Sequence, residues 1–329
     1  MGSVGVRVEE SEVRAAARAV LDAVAADPRY ACTAHLHVRL GGAVLVDEHL
    51  RGPVRGDVFS VTKTVLALTL GVAAGRDLLP PLDTPVAEVL PELRGTPAET
   101  HTWRHLLTMT RGAEVGGLWD VDELTALPGG QVDHIVRAQQ RSRPGERFCY
   151  DNGASHLLSA AAEAVLGEPV SAFAARELFA PLGVEPPEWL ADPDGVPFGY
   201  GHLRLSAADL GLVGQLLLDG GRLAGRALVE PGFLAEMCRP HSPGGPPEDL
   251  PYGYQIWLDD GLLLAGGWAG QHLLVVPAAE AVVVTTGDPG FQFGPPPTDR
   301  LPPGWRPALT LVRQHLLPLL RPTPAEVTP

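Results

Sequence analysis

The chain has 329 residues, of which 45% are hydrophobic and 19% are charged. This length allows one large domain or two smaller ones, and the apolar content is sufficient for a buried core. The 25 lysines and arginines are outnumbered by 39 aspartates and glutamates, which gives a formal net charge of −14. Such a balance argues against a nucleic-acid-binding surface and against attraction to anionic membranes.

Three cysteines, Cys32, Cys149 and Cys238, stand far apart in the sequence. Their odd number and wide spacing fit neither a disulfide framework nor a C-x-x-C metal site, so we expect reduced thiols. The N-terminus has neither the basic region nor the apolar stretch of a signal peptide, and no later segment reaches transmembrane length without Gly, Pro or charge. We therefore expect a cytoplasmic protein with no membrane partner.

The first elements combine one helix with a strand pair. Apolar spacing predicts an amphipathic helix over residues 11–26, beginning just after Ser11. Strands are predicted over 34–40 and 43–47, joined by Gly41 and Gly42, a link typical of a tight hairpin. From residue 64 to about residue 239 the pattern is mainly helical, with candidate helices at 64–74, 102–109, 132–140, 154–166, 170–179 and 207–218.

Strand patterns return towards the C-terminus, at 252–257, 262–266, 272–276 and 281–286. A Pro-rich loop over 289–305 precedes an apolar helix over 307–320, and residues 321–329 read as a disordered tail. Strands from both ends of the chain must then share one sheet. The sequence predicts an α+β fold in which an antiparallel sheet is flanked by the N- and C-terminal helices. We expect a sheet lobe of residues 1–63 and 240–329, an inserted helical lobe of residues 64–239, and a ligand site between the lobes.

Ser60 and Lys63 open the predicted helix over 64–74, and their spacing places both side chains on one face within a turn. A hydroxyl beside an amine is the arrangement of an activated nucleophile. The positive end of the helix dipole would also stabilise negative charge near Ser60. An ordinary serine near a helix start, followed by a solvated lysine, has the same spacing. The pair alone is therefore weak evidence for catalysis.

Tyr150 and Asn152 follow a Pro-Gly turn and lie two residues apart, so they could face one cavity. A phenol can relay a proton where a nearby ammonium lowers its pKa, and a carboxamide can orient both a lysine and a substrate carbonyl. A buried tyrosine beside a turn asparagine is the alternative interpretation.

A glycine-rich stretch over 265–270 lies within strand-like sequence. Glycine inside a strand often marks the close approach of another backbone or of a ligand. A backbone N–H in this stretch, together with that of Ser60, would form a two-donor oxyanion hole. A plain glycine-rich turn is the alternative.

In order and spacing, Ser60-Val61-Thr62-Lys63, Tyr150-Asp151-Asn152 and the stretch 265–270 resemble the S-x-x-K, Y-x-N and K/H-T-G elements of class C β-lactamase-related serine hydrolases. The likeness covers about residues 34–320 and includes the supporting stretches 101–112, 181–183 and 203–210. It implies a sheet flanked by terminal helices plus an all-helical lobe. Activities in this family include those of β-lactamases, D-stereospecific peptidases, carboxylesterases, amide hydrolases and some acyltransferases.

The resemblance implies catalytic roles for Ser60, Lys63 and Tyr150, with Asn152 steadying the lysine and the substrate. Partial burial beside Tyr150 is expected to depress the pKa of Lys63. Two registers are open for the third element. The preferred one takes Ala265-Gly266-Gly267 as the triplet and Trp268 N–H as the second oxyanion donor; the other takes Trp268-Ala269-Gly270 and Gln271 N–H.

Neither register has a Lys or His at the first position of the triplet, where a β-lactamase or D,D-peptidase uses a cation to hold a substrate carboxylate. We therefore expect a serine hydrolase that forms an acyl-enzyme on a small neutral ester or amide. The alternatives are an acyltransferase with an amine or alcohol acceptor, a β-lactamase or D-peptidase, and a non-catalytic ligand-binding homologue.

Other polar residues carry less weight. Trp119 and the acidic residues after it could line the pocket or form a solvated loop, and His202 and His272 could border it. The sequence contains no H-E-x-x-H motif, no paired Cys/His metal spacing, no phosphate-binding loop and no dinucleotide fingerprint after a strand, so no cofactor is expected.

Overall fold

The computed structural model describes residues 8–115, 121–288, 290, 301 and 303–321. The chain divides into two compact units, each built from separated stretches of sequence. The first comprises Met1–Gly56, Ser206–Leu218 and Asp260–Pro329, and the second comprises Asp57–Leu205 and Asp219–Asp259.

The strands of the described residues are, in chain order, Thr33–Leu40 (β1), Ala43–His49 (β2), Arg55–Asp57 (β3), Arg204–Ser206 (β4), Arg222–Leu223 (β5), Arg226–Ala227 (β6), Ser242–Gly245 (β7), Leu250–Tyr252 (β8), Trp257–Asp259 (β9), Leu262–Gly267 (β10), Gln271–Val276 (β11) and Ala281–Gly287 (β12).

The helices are Glu10–Ala26 (α1), Val61–Ala74 (α2), Trp103–Leu107 (α3), Val121–Ala126 (α4), Gln131–Val136 (α5), Asn152–Leu166 (α6), Val170–Ala174 (α7), Ala207–Leu218 (α8) and Pro231–Met237 (α9). A π-helical turn, Ala175–Phe179, continues α7. The C-terminal helix, α10, consists of the consecutive segments Leu309–Leu311, Val312–Leu316 and Leu317–Leu320.

Among the described residues, the first unit is built on antiparallel strands in the spatial order β2-β1-β12-β11-β10. Gly41 and Gly42, with φ of 55° and 82°, form the tight turn between β1 and β2. The N-terminal strand β1 pairs with the late strand β12, for example His37 opposite Val284. The prediction that strands from both ends of the chain share one antiparallel sheet is confirmed.

Helices cover this sheet. The terminal helices α1 and α10 pack against each other, with Val13 and Ala17 of α1 and Val312 and Leu316 of α10 fully buried. Helix α8 packs on β1, β11 and β12. At Gly211 of α8 an added Cβ would lie 2.5 Å from His37 Nε2, so glycine permits the close approach of helix and sheet. The predicted flanking of the sheet by the two terminal helices is confirmed.

The second unit is organised around α2. Residues 61–73 of this helix are all buried, as expected for a helix that is apolar on every side. Helices α6, α7 and α9 pack on it. The short strands β7, β8 and β9 pair with one another antiparallel in this unit.

The predicted strand over 252–257 is wrong. The chain instead forms two strands, β8 and β9, joined by a reversal in which Gly253 N–H donates to the carbonyl of Ile256 at 2.9 Å and Gln255 has a φ of 55°. Tyr and Trp favour strands locally, but the hydrogen bonds of Gln255 described below hold the left-handed conformation. The predicted helix over 132–140 is also shorter, since α5 ends at Val136.

Some expectations fall on residues that the structure does not describe. The tail beyond residue 321 and most of the predicted loop over 289–305 lie outside the described residues. No single helix in the described part of the chain combines the length and apolar composition needed to cross a membrane; α6 and the extended α7 meet that test only as a pair bent by 76°. The three cysteines are not joined in disulfides.

Candidate active site

Ser60 directly precedes α2, at the N-cap position, but does not behave as a capping serine. A serine at an N-cap usually has an extended backbone and accepts a hydrogen bond from an N–H of the first turn. Ser60 has φ −67° and ψ −8°, and its side chain makes no cap bond. Its Oγ lies instead 2.8 Å from Lys63 Nζ. The interpretation of Ser60 as an ordinary helix cap is therefore excluded.

Lys63 is buried, with 1% of its surface exposed. Its Nζ donates hydrogen bonds to Ser60 Oγ at 2.8 Å and to the carbonyl of Tyr200 at 3.1 Å, and lies 4.9 Å from the centroid of the Tyr150 ring. Lysine is almost never fully buried unless it is paired. The alternative of a solvated lysine is excluded, and the structure brings Ser60, Lys63 and Tyr150 together as the sequence predicts.

The composition of the chain contains a second signal that points to Lys63. Lys63 is the only lysine in the 329 residues, and the remaining 24 of the 25 Lys and Arg residues are arginines. A guanidinium stays protonated in proteins, whereas an amine can lose its proton when it is buried. The one position at which the chain carries an amine side chain is the one where that amine contacts a serine hydroxyl.

Tyr150 is held by aromatic rings. It is 8% exposed and stacks on Trp257, with centroids 5.8 Å apart and an interplanar angle of 10°. Phe148 and Tyr252 pack against Trp257 in turn. Sequence reasoning missed Trp257, because no local pattern links two rings that lie so far apart in the chain.

The residue between Tyr150 and Asn152 forms a buried ion pair. The side chains of Asp151 and Arg111 are each 4% exposed, and Arg111 also donates to the carbonyl of Ile135 at 3.2 Å. Asp151 caps α6 by accepting the N–H of Ala154 at 3.0 Å. Asn152 is the first residue of α6 and is 5% exposed. The ion pair and the cap thus fix the segment that carries both predicted side chains.

Gln255 joins three helices of the second unit. Its carbonyl accepts the hydroxyl of Thr64 at 2.7 Å, its Oε1 accepts the hydroxyl of Ser155 at 2.7 Å, and its Nε2 donates to the carbonyl of Leu106 at 2.9 Å. Thr64 follows Lys63 on α2, and Ser155 lies one turn after Asn152 on α6. This role was not predictable from the sequence, because Gln255 falls in a segment that resembles a strand.

A cavity of about 380 Å³ lies in the second unit beside the first turn of α6. Arg111, Glu123, His134 and Gly153 contribute to its lining. Glu123 belongs to the acidic stretch for which the sequence allows either a position lining a pocket or a solvated loop. Trp119 and Asp120, which belong to the same predicted stretch, lie outside the described residues.

The glycine-rich stretch lies in the first unit, where β10 ends at Gly267 and pairs with β11, Gly266 opposite His272 and Gly267 opposite Gln271. Trp268–Gly270 forms a short helical turn with Ala269 at a φ of 60°. Gly266, Gly267 and Trp268 are partly exposed. Their predicted roles in oxyanion binding stay predictions.

Gln271 is 2% exposed, and its side chain bridges two strands. Its Nε2 donates to the carbonyl of Gly287 at 2.7 Å, and its Oε1 accepts the N–H of Gly287 at 3.3 Å. The two histidines noted in the sequence also have structural partners: His202 Nδ1 contacts Asp57 at 2.9 Å, and His272 Nδ1 lies 3.3 Å from the hydroxyl of Thr285. Within the described residues, no group of three or more His, Cys, Asp or Glu side chains is arranged to hold a metal ion.

An antiparallel sheet between terminal helices, together with a buried S-x-x-K helix, defines the β-lactamase/transpeptidase-like class of fold. The model of the Beta-lactamase family matches residues 34–295, and the chain belongs to this family.

Solved structures are similar in fold at low sequence identity. A candidate 6-aminohexanoate-dimer hydrolase from Bacillus anthracis superposes with a TM-score of 0.74 at 18% identity, covering 91% of this chain and 81% of that one. EstCE1, a hydrolase with promiscuous acyltransferase activity, has a TM-score of 0.68 at 18% identity, covering 84% and 94%. A family VIII carboxylesterase has a TM-score of 0.63 at 17% identity, covering 86% and 93%. No curated protein sequence matches the chain significantly.

Proposed function

We propose that this chain is a serine hydrolase that forms an acyl-enzyme on Ser60 from a small neutral ester or amide. The observation that carries the proposal is the position of the only lysine in the sequence, buried and 2.8 Å from the hydroxyl of Ser60. Membership of the Beta-lactamase family supports it.

In acylation, the unprotonated amine of Lys63 takes the proton of the Ser60 hydroxyl while Oγ forms a bond to the acyl carbon. The bond from that carbon to the leaving oxygen or nitrogen then breaks, and the proton passes to the leaving group. Burial favours the unprotonated amine at the start, because it penalises the ammonium. The Tyr200 carbonyl and the Tyr150 ring stabilise the ammonium once it has formed.

Tyr150 completes the proton path in this proposal. It passes the proton to the leaving group and later helps to activate the water that hydrolyses the acyl-enzyme. Stacking on Trp257 restricts the orientation of its ring. Asn152, fixed at the start of α6 by the cap on Asp151, steadies Lys63 and the substrate.

The substrate class follows from the third element. Neither Ala265 nor Trp268, the first residues of the two possible triplets, can form an ion pair with a substrate carboxylate. A neutral ester or amide is therefore a better substrate than a β-lactam or a D-peptide with a free carboxylate. The fold shared with a family VIII carboxylesterase and with a candidate 6-aminohexanoate-dimer hydrolase supports this class.

Acyl transfer is the second candidate function. It uses the same acyl-enzyme and differs only in the acceptor, an amine or alcohol in place of water. The fold shared with EstCE1, a hydrolase with promiscuous acyltransferase activity, supports acyl transfer as a candidate.

Labelling with a fluorophosphonate, followed by intact-mass spectrometry, tests the proposal. The wild type and a Ser171→Ala control should each gain one adduct, and Ser60→Ala should gain none. An unlabelled wild type, or an adduct that persists in Ser60→Ala, would overturn the serine-hydrolase assignment. Assays with p-nitrophenyl esters, anilides and a chromogenic β-lactam would then rank the substrate classes, and product analysis with added amines would separate hydrolysis from transfer.

A further inference from the structure

A single carboxylate holds two residues that adopt an unfavourable backbone conformation. Phe59 and His202 have φ values of 47° and 61°, in the left-handed region that side chains with a Cβ rarely adopt. Asp57 Oδ1 accepts the N–H of Phe59 at 2.7 Å and the N–H of His202 at 3.1 Å. Its Oδ2 lies 2.9 Å from Nδ1 of His202. Each of these two residues is thus held by its backbone N–H, and His202 also by its ring.

Both held residues adjoin the candidate catalytic pair. Phe59 directly precedes Ser60, so its φ sets the direction in which the chain enters α2. His202 follows Tyr200 by two residues, and the Tyr200 carbonyl accepts the hydrogen bond of Lys63 Nζ. Asp57 therefore holds two segments: the one that carries Ser60, and the one that carries Tyr200, whose carbonyl is the partner of Lys63.

The two segments also contact each other directly. Val58 N–H donates to the carbonyl of Leu203 at 2.9 Å. Gly201 lies against the backbone of Phe59, since a Cβ built at Gly201 would be 4.0 Å from the Cα, C and O atoms of Phe59. Residues 57–60 and 200–203 thus form one clamp, which we call the Asp57 clamp.

We propose that Asp57 is a positioning residue that sets the geometry between Ser60 Oγ and Lys63 Nζ. This inference rests on the proposed function. Without the carboxylate, Phe59 relaxes to negative φ and turns Ser60, while the Tyr200 carbonyl moves away from the lysine. Asp57 itself needs no contact with substrate, because its oxygens are used by the N–H groups of the clamp.

The first test compares Asp57→Ala with Asp57→Asn. The rate constant for fluorophosphonate labelling of Ser60 should fall by about 100-fold in Asp57→Ala, the size expected when a reacting group is displaced by about 1 Å. Asp57→Asn should lose much less, because the amide oxygen still accepts the two backbone N–H groups. Asp83→Ala is the matched control, since Asp83 is an exposed carboxylate bound to Arg104, and it should label at the wild-type rate.

Rescue separates positioning from a general loss of stability. Glycine adopts positive φ without strain, so Phe59→Gly in the Asp57→Ala background should recover about tenfold in labelling rate, although glycine lowers stability through its greater freedom in the unfolded chain. A purely structural role predicts a further loss in the double variant. If Asp57→Ala does not fold, Asp57→Asn with and without Phe59→Gly provides the same comparison on a smaller scale.

Lysine NMR gives a readout that does not depend on activity. Because Lys63 is the only lysine, ¹³C-lysine labelling yields a single Cε signal. Asp57→Ala should shift this signal, and Asp83→Ala should not. An unlabelled wild type would overturn the proposed function but leave the NMR comparison decisive for the clamp. Labelling within threefold of wild type in Asp57→Ala, or no glycine rescue, or an unmoved lysine signal, would overturn the positioning role.

Discussion

The Nζ atom of Lys63 lies 2.8 Å from the Oγ atom of Ser60, on a helix whose residues 61–73 are all buried. At this distance a proton can pass between the two groups without movement of either side chain. The amine also contacts a backbone carbonyl and an aromatic ring, both of which stabilise a nearby positive charge. In the proposed mechanism, these two groups would hold the ammonium that forms when Lys63 takes the proton of Ser60.

Replacing Lys63 by Arg should remove most of the activity, although arginine is also a basic side chain. A guanidinium cannot accept the Ser60 proton, so we expect ester hydrolysis to fall by about 1,000-fold, within the range of a lost general base. The rate of ester hydrolysis by Lys63→Met should fall by a similar factor. Initial rates with a p-nitrophenyl ester measure both. Hydrolysis in Lys63→Arg within tenfold of wild type would show that Lys63 supplies charge and is not the base.

Removing only the cation of the buried Arg111–Asp151 pair should cost more stability than removing both charges. Arg111→Met leaves the Asp151 carboxylate buried without its cation and should lower the free energy of unfolding by about 3–5 kcal/mol. The double variant Arg111→Met, Asp151→Asn removes both charges and keeps a side chain that can cap α6. Its free energy of unfolding should therefore fall by less. Urea denaturation followed by circular dichroism measures both variants. Equal losses in the two would contradict this account of the pair.

Gln255→Leu should lower the free energy of unfolding by about 2–4 kcal/mol, because it leaves the Ser155 hydroxyl and the Leu106 carbonyl without this partner. Gln139→Leu, at an exposed position, is the matched control and should change stability by less than about 0.5 kcal/mol. Thermal and urea unfolding of the two variants provide the comparison. A Gln255→Leu protein as stable as the control would show that the three helices do not depend on this residue.

Two buried histidines predict acid sensitivity. Burial lowers the pKa of His101 and of His272 from 6.5 to about 4. The folded state then keeps both rings neutral while the unfolded chain binds protons, so stability is full above pH 6.5 and is lost as the pH falls from 6.5 towards 4. Between pH 7 and pH 5 each histidine should reduce the free energy of unfolding by about 2 kcal/mol.

Urea denaturation at several pH values measures how the free energy of unfolding depends on pH in the wild type, His101→Gln and His272→Asn. Each substitution should flatten the pH dependence of the free energy of unfolding relative to the wild type. A wild-type protein equally stable at pH 5 and pH 7 would contradict the burial of neutral imidazoles.

The parts of the structure that follow from local patterns were predictable from the sequence. Alternating apolar residues around Gly41 and Gly42 indicated the hairpin, and the spacing of Ser60 and Lys63 placed them on one helix face. Contacts between distant segments were not predictable in the same way. Asp57 and His202 are 145 positions apart, and Thr64 and Gln255 are 191 positions apart. The prediction of a strand over 252–257 was wrong for the same reason, because tertiary hydrogen bonds of Gln255 outweigh the local strand preference.

The most direct test of Ser60 as the nucleophile is peptide mapping of the enzyme quenched during turnover of a slowly hydrolysed p-nitrophenyl ester. We expect an acyl group on the peptide that contains Ser60, formed with a burst of one nitrophenol per chain, and absent from both Ser60→Ala and Lys63→Arg. Acylation of a different residue, or turnover by Ser60→Ala at the wild-type rate, would contradict it.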